Sequence, residues 1–418
     1  MKTKPLKVLA AVAGLLAFSA VVTLVSAASG AASAPVATVN TVRGMPPVPD
    51  ANNLYSETRA NQLAPEVKGD LERIYVPNLR SNSVSVIDPK TLKVVDSFKV
   101  GRSPQHVVPS WDMRTLWVAN NAERGNDGSL TPIDPRTGKP GKAIPVDDPY
   151  NLYFSPDGQL AIVVAEAKRR LDFRDPKTLK LQYSIDVPNC SGINHGDFSI
   201  DGRYAIFTCE FDGSVVKIDL VRNKVAGYLK LQMPTIRFKE VTPKGEVFET
   251  EICTTTKGMP QDIRVSPDGK FFYVADMAAD GLHVIDGEAF KEVNFIPTAV
   301  APHGLYPSRD GKLLYVANRG SHAIHGKPKG PGSVSVVEFA TNKVLKTWQV
   351  PGGGSPDMGN VSADGKWLWL AGRFDDVVYR FDTTHGKVDF VKVGLEPHGL
   401  TVWPLPGRYS LGHTGNMR

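Results

Sequence analysis

The chain has 418 residues, of which 41% are hydrophobic and 22% are charged, as is usual for a soluble globular protein. The formal net charge of +6 is small for this length, and the basic residues are spread out. With no arginine-rich arm and no nucleic-acid motif, we expect no nucleic-acid partner.

The first 34 residues read as an export signal. Lys2, Lys4 and Lys7 precede an apolar run, and small residues follow it, with cleavage expected after Ala27 or Ala34. The run is nearly long enough to remain as an uncleaved membrane anchor, but the two small-residue sites favour cleavage. We therefore expect an extracytoplasmic protein, periplasmic or secreted, with no membrane span after signal cleavage.

A short unit repeats along the chain: an apolar strand, a turn with Asp-Gly, and a second apolar strand. Asp-Gly between two apolar runs predicts a hairpin, because glycine accepts the positive φ that such turns need. The turns lie at residues 155–158, 199–202, 266–269, 308–311 and 362–365.

Counting these strands predicts the architecture. Inner strands are expected to begin near residues 106, 151, 195, 262, 303, 357 and 398, and sets of three outer strands near 73, 115, 160, 204, 271, 314 and 367. Four antiparallel strands form one propeller blade. The sequence thus predicts an all-β, seven-bladed β-propeller, whose C-terminal inner strand pairs with the N-terminal blade and closes the ring.

The predicted propeller covers residues 70–404, and segments without the repeat lie on both sides. Residues 35–69 are interpreted as a linker or a strap along the outside. Residues 405–418 form a tail near the channel mouth, which either adds an edge strand or folds over the mouth. Two insertions, Gln232–Lys257 and Gly320–Gly332, interrupt the repeat.

The units Tyr273-Val274-Ala275-Asp276 and Tyr315-Val316-Ala317-Asn318, each after an Asp-Gly turn, resemble the YVTN-repeat β-propeller family. This resemblance covers residues 70–404. It implies a wider group that includes nitrous oxide reductase, thiocyanate dehydrogenase, the cytochrome d1 domain, amine dehydrogenase heavy chains and lactonases. Because that group has many chemistries, the resemblance implies the fold and leaves the function open.

In each blade the inner strand begins and the second strand ends at the same face, so these positions should surround one mouth of the channel. Four of the nine histidines fall at inner-strand starts, and a fifth lies in the tail. The candidate metal ligands are His106, His195, His303, His398 and His413. The candidate ligand-binding residues at the mouth are Asn151, Asp262, Asp357, Asn120, Asn318, Arg319 and Arg373.

Two interpretations of the histidines stay open. Imidazoles from several blades suit copper, and the copper enzymes of the resembled group use histidines in this way. A Pro-His-Gly strand start is also frequent in the repeat without any metal. The spacing to the turn glycine is seven residues for His195 but eight for His303, and alternate strand residues point to opposite faces, so convergence is in question.

The arginines and cysteines allow further alternatives. Arg319 and Arg373 are candidates for binding an anionic ligand, or for ion pairs with nearby carboxylates. An oxidising compartment favours one disulfide and one free thiol among Cys190, Cys209 and Cys253. Cys190–Cys253 and Cys190–Cys209 are both open.

Three function hypotheses follow. The first is an exported propeller that binds a small molecule or a protein at its mouth. The second is a copper-dependent oxidoreductase with a histidine-rich site there, which would need a redox partner. The third is a lactonase-like hydrolase whose divalent metal is held by Glu166, Asp262 and Asn120.

Overall fold

The structure is a computed structural model that describes residues 38–418 except 124, 126, 242–246, 254–256 and 414, and only the backbone of those described within 236–256. The predicted signal peptide lies outside the described residues. Within them, no helix combines the length and the apolar character needed to cross a membrane.

Seven antiparallel sheets form the propeller, as predicted, and we number these blades 1 to 7 in chain order. The inner strands of blades 2 to 7 and then of blade 1 are Pro104–Pro109, Pro149–Phe154, Ile193–Phe198, Pro260–Val265, Pro302–Pro307, Pro356–Val361 and Thr401–Trp403. The second strands, from blade 1, are Arg73–Asn78, Leu116–Asn120, Ala161–Ala165, Tyr204–Cys209, Phe271–Asp276, Leu313–Asn318 and Trp367–Gly372.

The third and fourth strands complete each blade. The third strands are Ser83–Asp88, Ser129–Asp134, Arg170–Arg174, Ser214–Asp219, Gly281–Asp286, Ser333–Glu338 and Val377–Asp382. The fourth strands are Lys93–Lys99, the divided pair Lys139–Pro140 and Ile144–Pro145, Leu181–Asp186, Lys224–Lys230, Lys291–Pro297, Lys343–Gln349 and Val388–Lys392. The inner strands are almost wholly buried and the fourth strands are largely exposed, so the core lies between neighbouring blades.

The two ends of the propeller close the ring as predicted. Thr401–Trp403 pairs antiparallel with Arg73–Asn78, the second strand of blade 1, where Arg73 lies opposite Trp403 and Tyr75 opposite Thr401. Trp403 is fully buried. The closure supplies the inner strand of blade 1, so this blade has the same four-stranded order as the others.

The repeated turn has a hydrogen-bonded reason for its sequence. In the turn of blade 7, Ser362 Oγ donates to Asp364 Oδ1 at 2.6 Å and accepts from the Trp367 backbone N–H at 3.0 Å. The same pair of contacts occurs in five other turns, which begin at Ser110, Ser155, Ser199, Ser266 and Ser308. Serine and aspartate thus satisfy the backbone where the chain reverses.

Replacing Ser362 by alanine should lower the free energy of unfolding by about 0.5–1.5 kcal/mol, the usual net worth of such a hydrogen bond. Denaturant titration of the purified protein checks this. Ser321→Ala in the exposed insertion is the control and should change stability by less than about 0.5 kcal/mol. Equal effects of the two substitutions would contradict the role assigned to the turn.

The segment before blade 1 lies against the turns that join inner and second strands. It contains two 3₁₀ helices, Ser56–Thr58 and Pro65–Val67. The backbone N–H groups of Val42, Leu54 and Asn61 donate to turn carbonyls of Asp201, Pro267 and Ala363, in blades 4, 5 and 7. This segment therefore crosses the turn face of the propeller.

The first insertion is a β-hairpin, Thr235–Val241 and Val247–Cys253, and the second has no regular structure. Cys190 and Cys209 form a disulfide across blade 4. This bond corresponds to one of the two pairings predicted. The side chain of Cys253 lies outside the described residues.

Candidate functional site

Five histidine side chains meet inside the channel near its mouth. His106, His195 and His303 come from the inner strands of blades 2, 4 and 6, and His398 comes just before the last inner strand. His413 comes from the C-terminal tail. Each of the five histidine residues is at most 2% exposed. The fold therefore removes five ionisable rings from water in one place.

The rings form a continuous cluster. His195 lies 4.6 Å from His413 and 5.3 Å from His106, between ring centroids. His106 lies 4.8 Å from His398, which lies 5.8 Å from His303. The distance from His303 back to His195 is 6.4 Å. We call these five residues the histidine cluster.

A β-bulge explains why the histidines converge although their spacing from the turns differs. In blade 4 the register shifts between Ile193 and Gly196, and in blade 6 between Pro302 and Gly304. The inner strands of blades 2, 3, 5 and 7 have a similar shift. Because a bulge places two residues opposite one, it cancels the simple alternation of strand faces.

Asp357 anchors one side of the cluster. Its Oδ2 lies 2.9 Å from His398 Nδ1, and its Oδ1 lies 2.8 Å from His303 Nδ1. Arg319 donates from Nη2 to Oδ1 at 2.9 Å, and Arg373 Nη1 lies 3.9 Å from Oδ2. Burial opposes ionisation of Asp357, but Arg319 and the two histidines outweigh it and hold its pKa well below the usual range. The site thus contains a buried carboxylate that orients two imidazoles.

Asp262 and Asn151 anchor the other side. Asp262 Oδ1 lies 3.1 Å from His413 Nε2, and Oδ2 accepts from the Leu305 backbone N–H at 2.8 Å. Asn151 Nδ2 donates to Nδ1 of His195 at 3.2 Å and to Nδ1 of His413 at 3.1 Å. With both Nδ1 atoms accepting, the proton of each neutral ring resides on Nε2, and a metal at His195 Nε2 would displace that proton.

Four nitrogens of the cluster are buried without a hydrogen bond of good geometry. They are Nδ1 and Nε2 of His106, Nε2 of His195 and Nδ1 of His303, of which the last still lies 2.8 Å from Asp357 Oδ1. Such atoms are uncommon in folded proteins and call for an explanation such as an ion or a water molecule. A ligand atom between the rings can satisfy one nitrogen of His106 together with Nε2 of His195.

The rings are uncharged at neutral pH. Burial lowers the pKa of His106 and of His195 well below the usual value, and neighbouring histidines add to the shift. Burial, with the nearby arginines, lowers the pKa of His303 to about 4 and that of His398 to about 3. Burial also lowers the pKa of His413. Neutral imidazole is the form that binds metal ions.

One group in the cluster has a compact metal-binding arrangement. His195, His413 and Asp262 each offer one ligand atom, and these atoms lie within 4.8 Å of one another. All three residues are fully buried. Asp262 keeps its charge there, because Arg264 and His413 outweigh burial and lower its pKa.

The C-terminal tail reaches the cluster from the side where the inner strands end, and it does not fold over the mouth. Its residues pair back on themselves, with Ser410 bridged to Met417. Ser410 Oγ donates to the Pro109 carbonyl, and Arg418 Nη2 donates to Asp197 at 2.8 Å. His413 sits at the turn. Met417 packs in the apolar core near blade 1, away from the histidines.

A polar layer covers the cluster on the mouth side. Asn194 Nδ2 donates to Glu210 Oε2 at 2.9 Å, and Gln105 Nε2 donates to Glu123 at 3.3 Å. Burial raises the pKa of Glu210, and burial together with repulsion by Glu210 raises that of Glu166 well above its usual value. Our sequence prediction did not include Glu210. Its position directly after a predicted second strand was the available signal.

Some predicted mouth residues do not join the cluster. The Asn120 side-chain amide donates to Ser129 and Thr131, and that of Asn318 donates to Ser333 and Ser335, all within their own blades. These amides connect second and third strands. The predicted residues that do come together are the five histidines, Asn151, Asp262, Asp357, Arg319 and Arg373.

Comparison with solved structures supports the fold. A functionally unknown protein from Desulfotomaculum acetoxidans DSM 771 aligns over 79% of this chain and 99% of its own, with a TM-score of 0.55 and 16% identity. Kuenenia stuttgartiensis hydrazine synthase aligns over 72% and 91%, with a TM-score of 0.52 and 18% identity. Dihydro-heme d1 dehydrogenase NirN, in complex with DHE, aligns over 82% and 77%, with a TM-score of 0.55 and 14% identity.

Family models extend this result. No curated protein matches the sequence. A model described as a YNCE-like beta-propeller matches residues 251–407. A model described as lactonase, 7-bladed beta-propeller, matches residues 87–326, which is more than half of the chain. The chain therefore belongs to the seven-bladed β-propeller family described as lactonase.

Proposed function

We propose that this protein is an exported copper-binding propeller, which holds the metal in the histidine cluster and offers its mouth to a small molecule or a redox partner. The observation that carries the proposal is the cluster of five buried, neutral imidazoles, with unpartnered nitrogens on His106 and His195.

The donor set favours copper among the common metal ions. Imidazole nitrogen suits copper, zinc, iron and nickel, and a given site binds copper more tightly than the other divalent first-row ions. His106, His195 and His398 would hold the metal, with His303 and His413 beside them, because both ring nitrogens of His413 already contact Asn151 and Asp262. When bound, copper would supply one-electron redox chemistry.

The surrounding residues support ligation without taking part in it. Asp357 hydrogen-bonds Nδ1 of His398, which fixes the ring and directs its Nε2 away from the carboxylate. A carboxylate behind a ligating histidine orients the ring and raises its basicity. The arginines that surround Asp357 keep it ionised. The cluster is thus held in position before metal arrives.

Export is supported by the N-terminal pattern and by the Cys190–Cys209 disulfide, since disulfides persist in oxidising compartments. The lactonase-like alternative has less support. Asn120 is engaged within its own blade, and Asp262 is paired with His413.

The test is metal retention. The purified protein is stripped with a chelator, loaded with copper or zinc separately and together, and passed through a desalting column before elemental analysis. We expect retained copper, preferred over zinc, and nitrogen hyperfine splitting in the electron paramagnetic resonance spectrum. The double variant His106→Asn, His195→Asn should bind copper more weakly by more than about 10-fold, since even residues behind the ligands contribute about 10–100-fold.

His385→Asn is the matched control, because this histidine is exposed and pairs only locally with Asp382. It should retain copper as the unsubstituted protein does. Failure of the unsubstituted protein to retain copper, or equal retention by the double variant, would overturn the proposal. Circular dichroism of each variant establishes that the propeller is folded.

A further inference from the structure

A separate cavity opens at the rim of the mouth, between blades 7 and 1 and the second insertion. Its volume is about 230 Å³. Its lining includes Arg80, His325, Arg373, Phe374, Asp376 and Glu396. Gly326 of the insertion lies against the Phe374 ring, which closes one side of the cavity. The basic groups here belong to three different parts of the chain, so the fold assembles the cavity.

Arg373 is the unusual group in this lining. It is only 6% exposed, yet its Nε has no hydrogen-bond partner. Its Nη2 lies 3.3 Å from Glu396 Oε1, and its Nη1 lies 3.9 Å from Asp357. A guanidinium has five N–H donors in a fixed plane, and a buried donor left unpartnered is costly. The Nε–H donor of Arg373 is thus buried beside the cavity without a partner.

Glu396 is an internal example of a carboxylate bound by the arginines of this cavity. Its carboxylate lies between two arginines, 2.6 Å from Arg80 Nε and 3.3 Å from Arg373 Nη2. The second acid, Asp376, is occupied by the chain itself, because its Oδ1 accepts from the Glu396 backbone N–H at 2.8 Å. Planar guanidinium groups match carboxylates and oxyanions in geometry. The unpartnered Nε–H of Arg373 is suited to a further anion.

We propose that this cavity binds a small carboxylate or inorganic oxyanion through Arg373, with Arg80 as a second, more exposed contact. The volume corresponds to about eight water molecules and lies below the roughly 300–1,000 Å³ of sites for larger ligands. The ligand is thus a small anion and not a nucleotide. Asp357 connects Arg373 with His303 and His398, which places the anion two contacts from the histidine cluster.

This proposal does not depend on bound metal, so it is tested on chelator-treated protein. Calorimetric titration at constant ionic strength uses acetate, oxalate and inorganic phosphate as probes. We expect at least one probe to bind at millimolar or lower concentration. Arg373→Gln should weaken that binding by about 10-fold or more, as expected for a charge-assisted hydrogen bond.

Two further variants keep the test decisive if Arg373→Gln does not fold. Arg80→Gln should weaken binding by less, because this side chain is 64% exposed. Glu396→Gln should strengthen binding, because it removes the internal carboxylate that competes for both arginines. Arg222→Gln, an exposed arginine in blade 4, is the control and should leave binding unchanged.

Three results would overturn the proposal. They are an absence of binding by all three probes, an unchanged affinity in folded Arg373→Gln, and a weaker affinity in Glu396→Gln. Because copper is absent from every arm, these results are independent of whether the histidine cluster binds metal.

Discussion

Replacing Asp357 by asparagine is expected to lower the free energy of unfolding by about 3–5 kcal/mol, the cost of breaking a buried ion pair by removing one partner. Asp357 is completely buried and is the carboxylate between Arg319, Arg373, His303 and His398. Asparagine keeps the shape but removes the charge. Arg319 would then lose its ion-pair partner, and Arg373 would keep only its pair with Glu396.

Denaturant unfolding of chelator-treated protein measures this loss without a contribution from bound metal. Asp96→Asn is the matched control, because Asp96 forms a 2.7 Å ion pair with Lys139 on the exposed fourth strand of blade 1. Exposed pairs are worth about 0–1 kcal/mol. A loss below 1 kcal/mol for Asp357→Asn would show that Asp357 does not hold this side of the channel together.

The fold could be predicted from sequence because each blade repeats a local signal. Asp-Gly turns between apolar runs identified five of the blades, and strand counting supplied the others. The turn at Ser110 lacks the glycine: Met113 has a φ of 58°, comparable to the 69° of Gly158. Its serine and aspartate make the same hydrogen bonds. Among these six turns, the serine and aspartate hydrogen bonds are therefore present in every one, whereas the glycine is replaced by Met113 in the turn of blade 2.

The residues of the site could be predicted from the sequence, but their arrangement in space could not. The histidines were recognisable because they recur at one position of a repeat. Their convergence depends on β-bulges at the strand starts, and counting residues back from a turn does not reveal a bulge. The route of the tail was also unpredictable, because neither periodicity nor composition tells which end of a channel a terminal segment enters. The contacts of Ser410 with the Pro109 carbonyl and of Arg418 with Asp197 fix that direction.

A buried histidine outside the channel should give the protein a measurable loss of stability at alkaline pH. His283, in blade 5, lies 2.9 Å from Glu292 and 3.3 Å from Asp276. Burial alone would lower its pKa, but the hydrogen bonds to these two carboxylates outweigh burial and raise the pKa to about 9 from 6.5. The folded state therefore holds this proton more tightly than the unfolded state does.

The sign of the pH dependence follows from this difference. The stabilisation is fully present below pH 6.5, declines as the pH rises, and is lost above about pH 9. At about 1.36 kcal/mol per pKa unit, the loss amounts to roughly 3 kcal/mol. Unfolding free energies measured from pH 6 to pH 10 should show this decline in the unsubstituted protein.

His283→Gln should be less stable than the unsubstituted protein by a similar amount at pH 6 and nearly equal to it at pH 10, because glutamine and neutral histidine are both uncharged between the carboxylates. His385→Gln, at an exposed position, should follow the unsubstituted protein throughout. A constant difference between His283→Gln and the unsubstituted protein across this range would mean that His283 contributes packing alone and does not hold a proton between Asp276 and Glu292.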